Sequence, residues 1–254
     1  MARRSLALEC AEAVANPCGF GLVFESGAKA SVTMPRMCGR IGYTVSREEL
    51  LRSYPWLKDA PEEPARYNVA PTDPVVAIGP DAARLVRWGI DGRKGGLFNL
   101  RAETAVGRPY YQRLLLGRRV VIPAGHFYEW RREGRVRRPL AISRSDGGVL
   151  HLAGLLGRWE GAPAATILTT LPNAEIQPVH NRMPVVLDDD EAGAWVLEEL
   201  SLEQAGGLLK PCAAGRLRLA PASPLVNDVR NDGPELLDPK ALPERHQLGL
   251  YTPA

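Results

Sequence analysis

The sequence predicts an α+β protein, and two observations carry this prediction. After residue 37 the chain consists mainly of short apolar runs broken by Gly, Pro and Arg, a texture typical of strands. These runs do not alternate regularly with helices, which disfavours a parallel sheet built from βαβ units. The length of 254 residues suits one large domain or two small ones, and no apolar run approaches the length of a transmembrane helix.

The elements follow from local signals along the chain. A helix is expected from Ser46 to Tyr54, because Ser46 and Glu49 have the spacing of a capping box. A second begins in acidic residues at Asp188 and ends near Leu200, as the helix dipole favours, and a third is expected from Leu202 to Leu209. Six apolar runs bounded by turn residues are expected as strands: Val75–Ile78, Arg84–Trp88, Arg119–Ile122, Pro139–Ser143, Val149–Leu155 and Ala165–Thr170. Asn227 to Glu235 is expected as a loop.

Composition divides the chain into three parts. Residues 1–36 are weakly patterned and rich in small residues, and we expect this N-terminal extension to be disordered or not translated. A single domain follows over residues 37–238, and residues 239–254 form a C-terminal tail rich in Pro and charge. Because Met37 directly precedes Cys38, we favour a start of translation at Met37 over a propeptide that is cut off. We therefore expect Leu6 to Val14 not to pack against the domain.

Cysteine and histidine usage argues against a metal site or a disulfide framework. The four cysteines contain no CxxC pair and the four histidines are scattered, so no zinc site, no metal and no cofactor are expected. The same pattern indicates a reducing cytoplasm. The net charge of +3 is too small to identify a polyanionic partner, although arginine, which suits bidentate phosphate contacts, greatly outnumbers lysine.

Four segments hold more reactive and aromatic residues than packing requires. They are Met37–Arg40, Phe98–Thr104, His126–Trp130 and His180–Pro184. Each also has an ordinary interpretation: Cys38 as a buried apolar residue, Asn99 and Arg101 closing a turn with Glu103, Glu129 as a solvated strand residue, and His180 as a structural histidine.

In this order, the segments resemble the SOS-response-associated peptidase family, whose members process abasic sites. The resemblance runs from Cys38 to about Leu237. The other matching positions are Arg66–Thr72, Arg87–Gly89, Ile122–Ala124, Thr169–Thr170, Val226–Asn227 and Gly233–Leu236. It implies a single domain with a central, largely antiparallel, barrel-like β-sheet flanked by helices.

The resemblance assigns the reaction to Cys38 as the first residue of the mature chain, after removal of Met37. An abasic site opens to an aldehyde, with which an amine forms an imine and a thiol two carbons away closes a thiazolidine. Only an N-terminal cysteine carries both groups at that spacing. The pKa of an α-amine is about 8, against about 10.4 for the lysine side chain. At neutral pH a much larger fraction of the α-amine is therefore unprotonated and nucleophilic.

The resemblance also implies roles for other residues. Glu129 would relay protons, His180 would contact the opened sugar, Asn99 would orient the reacting groups and Arg101 would hold a flanking phosphate. Further candidates for backbone and base contacts are Arg40, Trp88, Trp130 and Thr170, since stacking with Arg grips single strands. The expected partner is single-stranded DNA with an abasic site. We expect the protein to be a monomer that acts on DNA in the cytoplasm during the SOS response, with no membrane or metal partner. Lyase activity and self-processing peptidase activity are expected beside the crosslink.

Two departures from the family pattern matter. While residues precede Cys38 its nitrogen is an amide, which does not attack an aldehyde, so the long form should not crosslink. His126 stands where the family usually has Gly and adds a titratable group near Glu129; His180 is preferred as the functional histidine because of its Arg-Met-Pro context. Cys212 is expected to be a packed residue.

Two other functions stay open on the sequence. One is a module that binds single-stranded nucleic acid without a covalent step, in which Cys38 is incidental. The other is a cysteine peptidase that acts on other proteins through Cys38 and His180.

Overall fold

The computed structural model describes residues 39–92 and 95–242, and it confirms the α+β prediction. The strands are β1 (Ile41–Tyr43), β2 (Arg66–Val69), β3 (Pro74–Ile78), β4 (Ala83–Trp88), β5 (Ile90–Gly92), β6 (Gly95–Leu97), β7 (Asn99–Arg101), β8 (Arg119–Ala124), β9 (His126–Glu133), β10 (Val136–Arg144), β11 (Leu150–Trp159), β12 (Ala162–Thr170), β13 (Met183–Pro184), β14 (Val186–Leu187) and β15 (Leu217–Pro221). The helices are α1 (Arg47–Ser53), α2 (Ala102–Gly107), α3 (Pro109–Gly117), α4 (Asp189–Leu197) and α5 (Leu202–Gly207), with 3₁₀ turns at Pro224–Asn227 and Pro234–Leu237.

Five strands close into a barrel. They pair in the ring β3, β4, β12, β11, β8 and back to β3, and only the β12–β4 pairing in this ring is parallel. Every residue of β8 is buried, and helix α4 covers the barrel beside it, where the Trp195 indole donates to the Val120 carbonyl at 3.0 Å. The predicted barrel-like, largely antiparallel sheet flanked by helices is confirmed.

A second sheet of five strands has the order β15, β10, β9, β1, β2. Strand β9 separates two apolar clusters, because successive side chains of a strand point to opposite faces. Phe127 belongs to the large core, whereas Tyr128 packs in a smaller cluster with Val226 and Leu236. Strand β9 thereby joins the barrel core to the segment after β15.

The elements predicted from local signals are present in the structure. The predicted capping box of α1 is present: the Ser46 amide donates to Glu49 Oε2 at 2.8 Å, and the Glu49 amide donates to Ser46 Oγ at 3.2 Å. The six predicted strands are all found, within longer or slightly shifted bounds. Helix α4 ends at Leu197, three residues before the predicted end. Strand β9 was not predicted, because both faces of its first half are buried and its sequence there lacks polar–apolar alternation.

The predictions for residues 1–36, for Cys38 and for the tail after residue 242 lie outside the described residues. Within the described ranges, no helix is long and apolar enough to cross a membrane.

Candidate active site

A cleft of about 390 Å³ opens beside the first described residues of the chain. It lies between β9, the turn that precedes β13, and the 3₁₀ turn after β15. Its lining residues are Gly39, Arg40, Glu129, Trp130, Arg132, Arg137, Val179, His180 and Asn227. Four of the residues singled out in the sequence, Arg40, Glu129, Trp130 and His180, therefore meet in one place.

Glu129 provides a carboxylate that is almost completely withdrawn from solvent. It lies on β9 opposite Leu140 of β10 and is 1% exposed. Its Oε1 is 3.9 Å from Nδ1 of His180. Because burying a carboxylate is costly unless polar groups receive it, the polar surroundings of Glu129 make it a candidate functional residue. The interpretation of Glu129 as a solvated strand residue is wrong.

His180 is held by the turn that carries it. Its amide donates to the Ile176 carbonyl at 2.9 Å, and the Ile176 amide donates to Asn173 Oδ1 at 3.1 Å. Its Nδ1 lies 3.2 Å from the amide nitrogen and 3.1 Å from the carbonyl oxygen of Arg182. Nδ1 can therefore accept a hydrogen bond when unprotonated or donate one when protonated, so the ring has a partner in both states.

Arg182 anchors this turn to the barrel. Its guanidinium donates to both carboxylate oxygens of Glu103, at 2.7 and 3.0 Å, and to the Thr169 carbonyl at 2.6 Å. The hydrogen bonds from Arg182 lower the pKa of Glu103, which favours the ionised pair. Glu103 is therefore paired with Arg182. The alternative in which Asn99 and Arg101 close a turn with Glu103 had paired it with Arg101 instead.

The opposite rim of the cleft depends on Asn68, which is fully buried. Arg40 Nη1 donates to Asn68 Oδ1 at 2.6 Å and to the Val226 carbonyl at 2.7 Å. Asn68 Nδ2 in turn donates to the carbonyls of Asp228 and Asn231, at 3.0 and 2.7 Å. One amide side chain therefore connects β2, the start of β1 and the segment after β15.

Trp130 is fixed at this rim by two neighbours. Its indole donates to Asn227 Oδ1 at 2.8 Å, and the Arg40 guanidinium lies 5.9 Å from its ring centroid. Asn68 and Asn227 occur in the matching segments of the sequence, but the sequence assigned them no role. No local signal marks Asn68, because its burial and its partners, the carbonyls of Asp228 and Asn231, depend on a segment distant in the sequence.

The remaining predicted site residues lie elsewhere. Asn99, half-buried, and Arg101, exposed, are on β7 and do not line the cleft; β7 pairs with β12, where Arg101 is opposite Thr169. Because Thr169 also accepts from Arg182, both residues are near the anchor of the His180 turn. Cys38 lies outside the described residues, directly before Gly39 of the cleft.

Two predicted DNA contacts are corrected by burial. Trp88 is 0% exposed and its indole donates to the Phe98 carbonyl at 2.9 Å. Thr170 is 5% exposed and its hydroxyl donates to the Leu209 carbonyl at 3.2 Å. A side chain enclosed by the core has no face for a base or phosphate, so neither residue is kept as a DNA contact.

His126 is a core histidine. It is 4% exposed, its Nε2 lies 3.0 Å from the Tyr128 hydroxyl, and burial lowers its pKa to about 4. Its ring occupies the space above Gly42, where a Cβ would lie 2.0 Å from the imidazole. Three residues apart on β9, His126 and Glu129 point to opposite faces, which supports the choice of His180.

Cys212 is packed in the core as expected, and burial raises the pKa of its thiol to about 11. Among the described residues, no group of three or more His, Cys, Asp or Glu side chains could hold a metal ion.

Comparison with known proteins identifies the family. The model of the SOS response associated peptidase (SRAP) family matches residues 37–229. The abasic site processing proteins YoqW of Bacillus subtilis (strain 168) and YedK of Escherichia coli (strain K12) are 32% and 30% identical over 80% of this chain, and the matches cover 99% and 100% of those proteins. A crystal structure of a protein from Bacteroides thetaiotaomicron shares the fold, with a TM-score of 0.69 at 20% identity, over 79% of this chain and 99% of the other. This chain belongs to the SOS response associated peptidase family.

Proposed function

We propose that this chain processes abasic sites in DNA by forming a covalent bond to them through Cys38. Relatives at 30% identity or more carry the name abasic site processing protein. The observation that carries the proposal is the composition of the cleft: Gly39, which directly follows Cys38, lines the same cavity as the buried Glu129 and as His180.

The reaction requires Cys38 as the first residue. Adjacent α-carbons are about 3.8 Å apart across a trans peptide bond, so the amine of Cys38 belongs to the neighbourhood of Gly39. That amine adds to the aldehyde carbon of the opened sugar, and loss of water gives an imine. The thiol of the same residue then adds to the imine carbon, its proton passes to the nitrogen, and a five-membered thiazolidine results. One water leaves overall, and no oxidant or metal takes part.

Glu129 and His180 supply the proton transfers that these steps require. The amine must lose a proton as it attacks, and the departing hydroxyl must gain one. A carboxylate enclosed in a cleft can carry out both transfers in turn. His180, with Nδ1 directed at Arg182 and Glu129, contacts the sugar and assists opening of its ring. Trp130 and Arg101 contact the strand, and Asn99 orients the reacting groups from β7, beside the cleft. Arg40 is 4% exposed and bonded to Asn68 and Val226, so it shapes the rim of the cleft and is not kept as a contact to the strand.

The same imine supports two associated activities. Removal of a proton from the sugar carbon next to the imine expels the 3′-phosphate, which is an AP-lyase reaction. Release of any residues before Cys38 is a self-processing peptidase step in the same cleft. We assign both activities to this chain, within the DNA-damage response of the cytoplasm.

The test uses an oligonucleotide with one abasic site and the protein as purified from its own cells. Intact mass first determines whether the protein begins at Cys38. We expect a DNA adduct that survives denaturing electrophoresis for the form that begins at Cys38, and none for Cys38→Ser or for protein with an acetylated α-amine. Cys212→Ser is the matched control, because it removes the packed thiol, and it should crosslink like the wild type.

Three results would contradict the proposal. An adduct on protein that retains residues before Cys38 would show that no free α-amine is needed. A complex that dissolves in detergent and ignores Cys38→Ser would favour a non-covalent single-strand binding module. Cleavage of other proteins that persists after acetylation would favour a cysteine peptidase.

A further inference from the structure

The hairpin formed by β9 and β10 carries an unusual concentration of arginine at the mouth of the cleft. Between Trp130 and Arg138 the sequence has five arginines, at positions 131, 132, 135, 137 and 138. The register of the hairpin pairs Arg132 directly with Arg137. Both side chains are exposed and both line the cleft that contains Glu129 and His180. Neither residue is among the site residues predicted from the sequence.

This pairing works against the stability of the hairpin. Like charges directly opposite each other across two strands repel, since their Cβ atoms are roughly 5 Å apart. Neither Arg132 nor Arg137 forms an ion pair within the described part of the chain, and the side chain of Arg132 makes one hydrogen bond there, from Nε to the Gly134 carbonyl at 3.2 Å. Its terminal guanidinium nitrogens remain available to a ligand.

Arg138, the next residue, differs from Arg132 and Arg137 in having an ion-pair partner among the described residues. Arg138 follows Arg137 directly, is similarly exposed, and is neutralised by Glu133 at 2.6 Å. The register also sets Arg138 opposite Arg131, but Glu133 neutralises Arg138 in that pair, so within the described ranges the pair in which neither arginine has an ion-pair partner is the one at the cleft. A pair of cations that repel each other in the free protein is stabilised when an anion binds between them.

We infer that Arg132 and Arg137 form a clamp for the sugar-phosphate backbone of the DNA strand that enters the cleft. The inference rests on the proposed function, because it takes a DNA strand as the substrate of the site. Arg132 is three residues beyond Glu129, roughly 10 Å along the strand, and on its other face, so it reaches the cleft from the side of Trp130. The clamp therefore holds phosphates a short distance from the lesion, while Glu129 and His180 act on the sugar itself.

A phosphate backbone fits this pair better than other anions do. Guanidinium groups bind phosphate in a bidentate manner, and two of them side by side match a chain of regularly spaced charges. The Trp130 ring lies on the same strand two residues before Arg132, so it shares a face with it and offers a surface on which a base can stack. Stacking next to phosphate contacts is the combination that holds single strands without reading their sequence.

The test measures binding without chemistry. Affinity for an oligonucleotide with a tetrahydrofuran abasic analogue, which has no aldehyde, is determined over a series of salt concentrations for the purified full chain. Each phosphate contact on a single strand contributes about 0.7 to the slope of log K against log salt, so Arg132→Gln combined with Arg137→Gln should lower the slope by about 1.4. At 0.1 M salt this corresponds to about 25-fold weaker binding.

Arg138→Gln is the matched control, because it removes an exposed arginine of the same hairpin that Glu133 already compensates. It should change the slope of log K against log salt far less than Arg132→Gln or Arg137→Gln alone. The double variant should also unfold at the same temperature as the wild type or above it, since a repulsion is removed. Restoring charge with Lys at both positions should restore most of the slope.

Each outcome decides the inference separately from the proposed function. A double variant with the wild-type slope, or a loss of slope equal to that of Arg138→Gln, overturns the clamp even if the wild type still crosslinks to abasic DNA. If the double variant loses affinity as stated but the wild type forms no adduct with an aldehyde-bearing abasic site, the clamp stands and the covalent proposal fails. No measurable binding of the wild type to the analogue at low salt also overturns the clamp.

Discussion

The bonds of Asn68 lead to a quantitative prediction for the rim of the cleft. Asn68→Ala removes the acceptor of the Arg40 guanidinium and the donor to the carbonyls of Asp228 and Asn231. A hydrogen bond to a charged group contributes about 1.5–3 kcal/mol and a neutral one about 1 kcal/mol. The expected loss in the free energy of unfolding is therefore about 4 kcal/mol, within the range of broken buried networks.

Urea denaturation measures this loss. Because domains of this kind are stable by about 5–15 kcal/mol, the variant should fold, with a lower midpoint and an unchanged m value. The melting temperature should fall by about 10 °C, since 1 kcal/mol corresponds to about 2–4 °C at this size.

Asn231→Ala is the control from the same segment. Its side chain makes one bond in this region, from Nδ2 to the Leu225 carbonyl at 2.9 Å, and is partly exposed. We expect a loss of about 1 kcal/mol for it. If Asn68→Ala costs no more than Asn231→Ala, the amide is not the connection that we describe.

Two further predictions concern protonation. The pKa of His126 is about 4 in the folded protein and near 6.5 when unfolded, so the unfolded state binds more protons between these values. The free energy of unfolding should therefore decrease as the pH falls through this window, by up to about 1.4 kcal/mol per pH unit, and urea titrations of His126→Gln should lack this part of the slope; equal slopes would refute it. Glu129→Gln should slow adduct formation at least about 100-fold without changing affinity for the tetrahydrofuran analogue. Crosslinking at the wild-type rate would exclude Glu129 from proton transfer.

Local elements could be predicted because their signals are local. The capping box of α1 and the turn residues around β3, β4 and β8 act within a few residues, and the structure contains these elements where they were expected. Strand β9 escaped prediction although it carries Glu129. The pattern of its first half, His126 to Glu129, reflects two buried faces, and burial on both sides is a property of the assembled sheets, not of the segment.

The sequence by itself determined which chemical groups this protein has and to which family their order is similar: a cysteine behind a methionine, an acidic residue among aromatics, and a histidine before Arg-Met-Pro. The tertiary structure alone decided which of them meet. It brought Glu129 and His180, 51 positions apart in the sequence, to 3.9 Å. It enclosed Trp88 and Thr170 in the core, and it set Arg132 against Arg137 at the cleft. The physical reason is that exposure and proximity depend on strand register and on packing between distant segments, and neither is encoded in the residue type or its immediate neighbours.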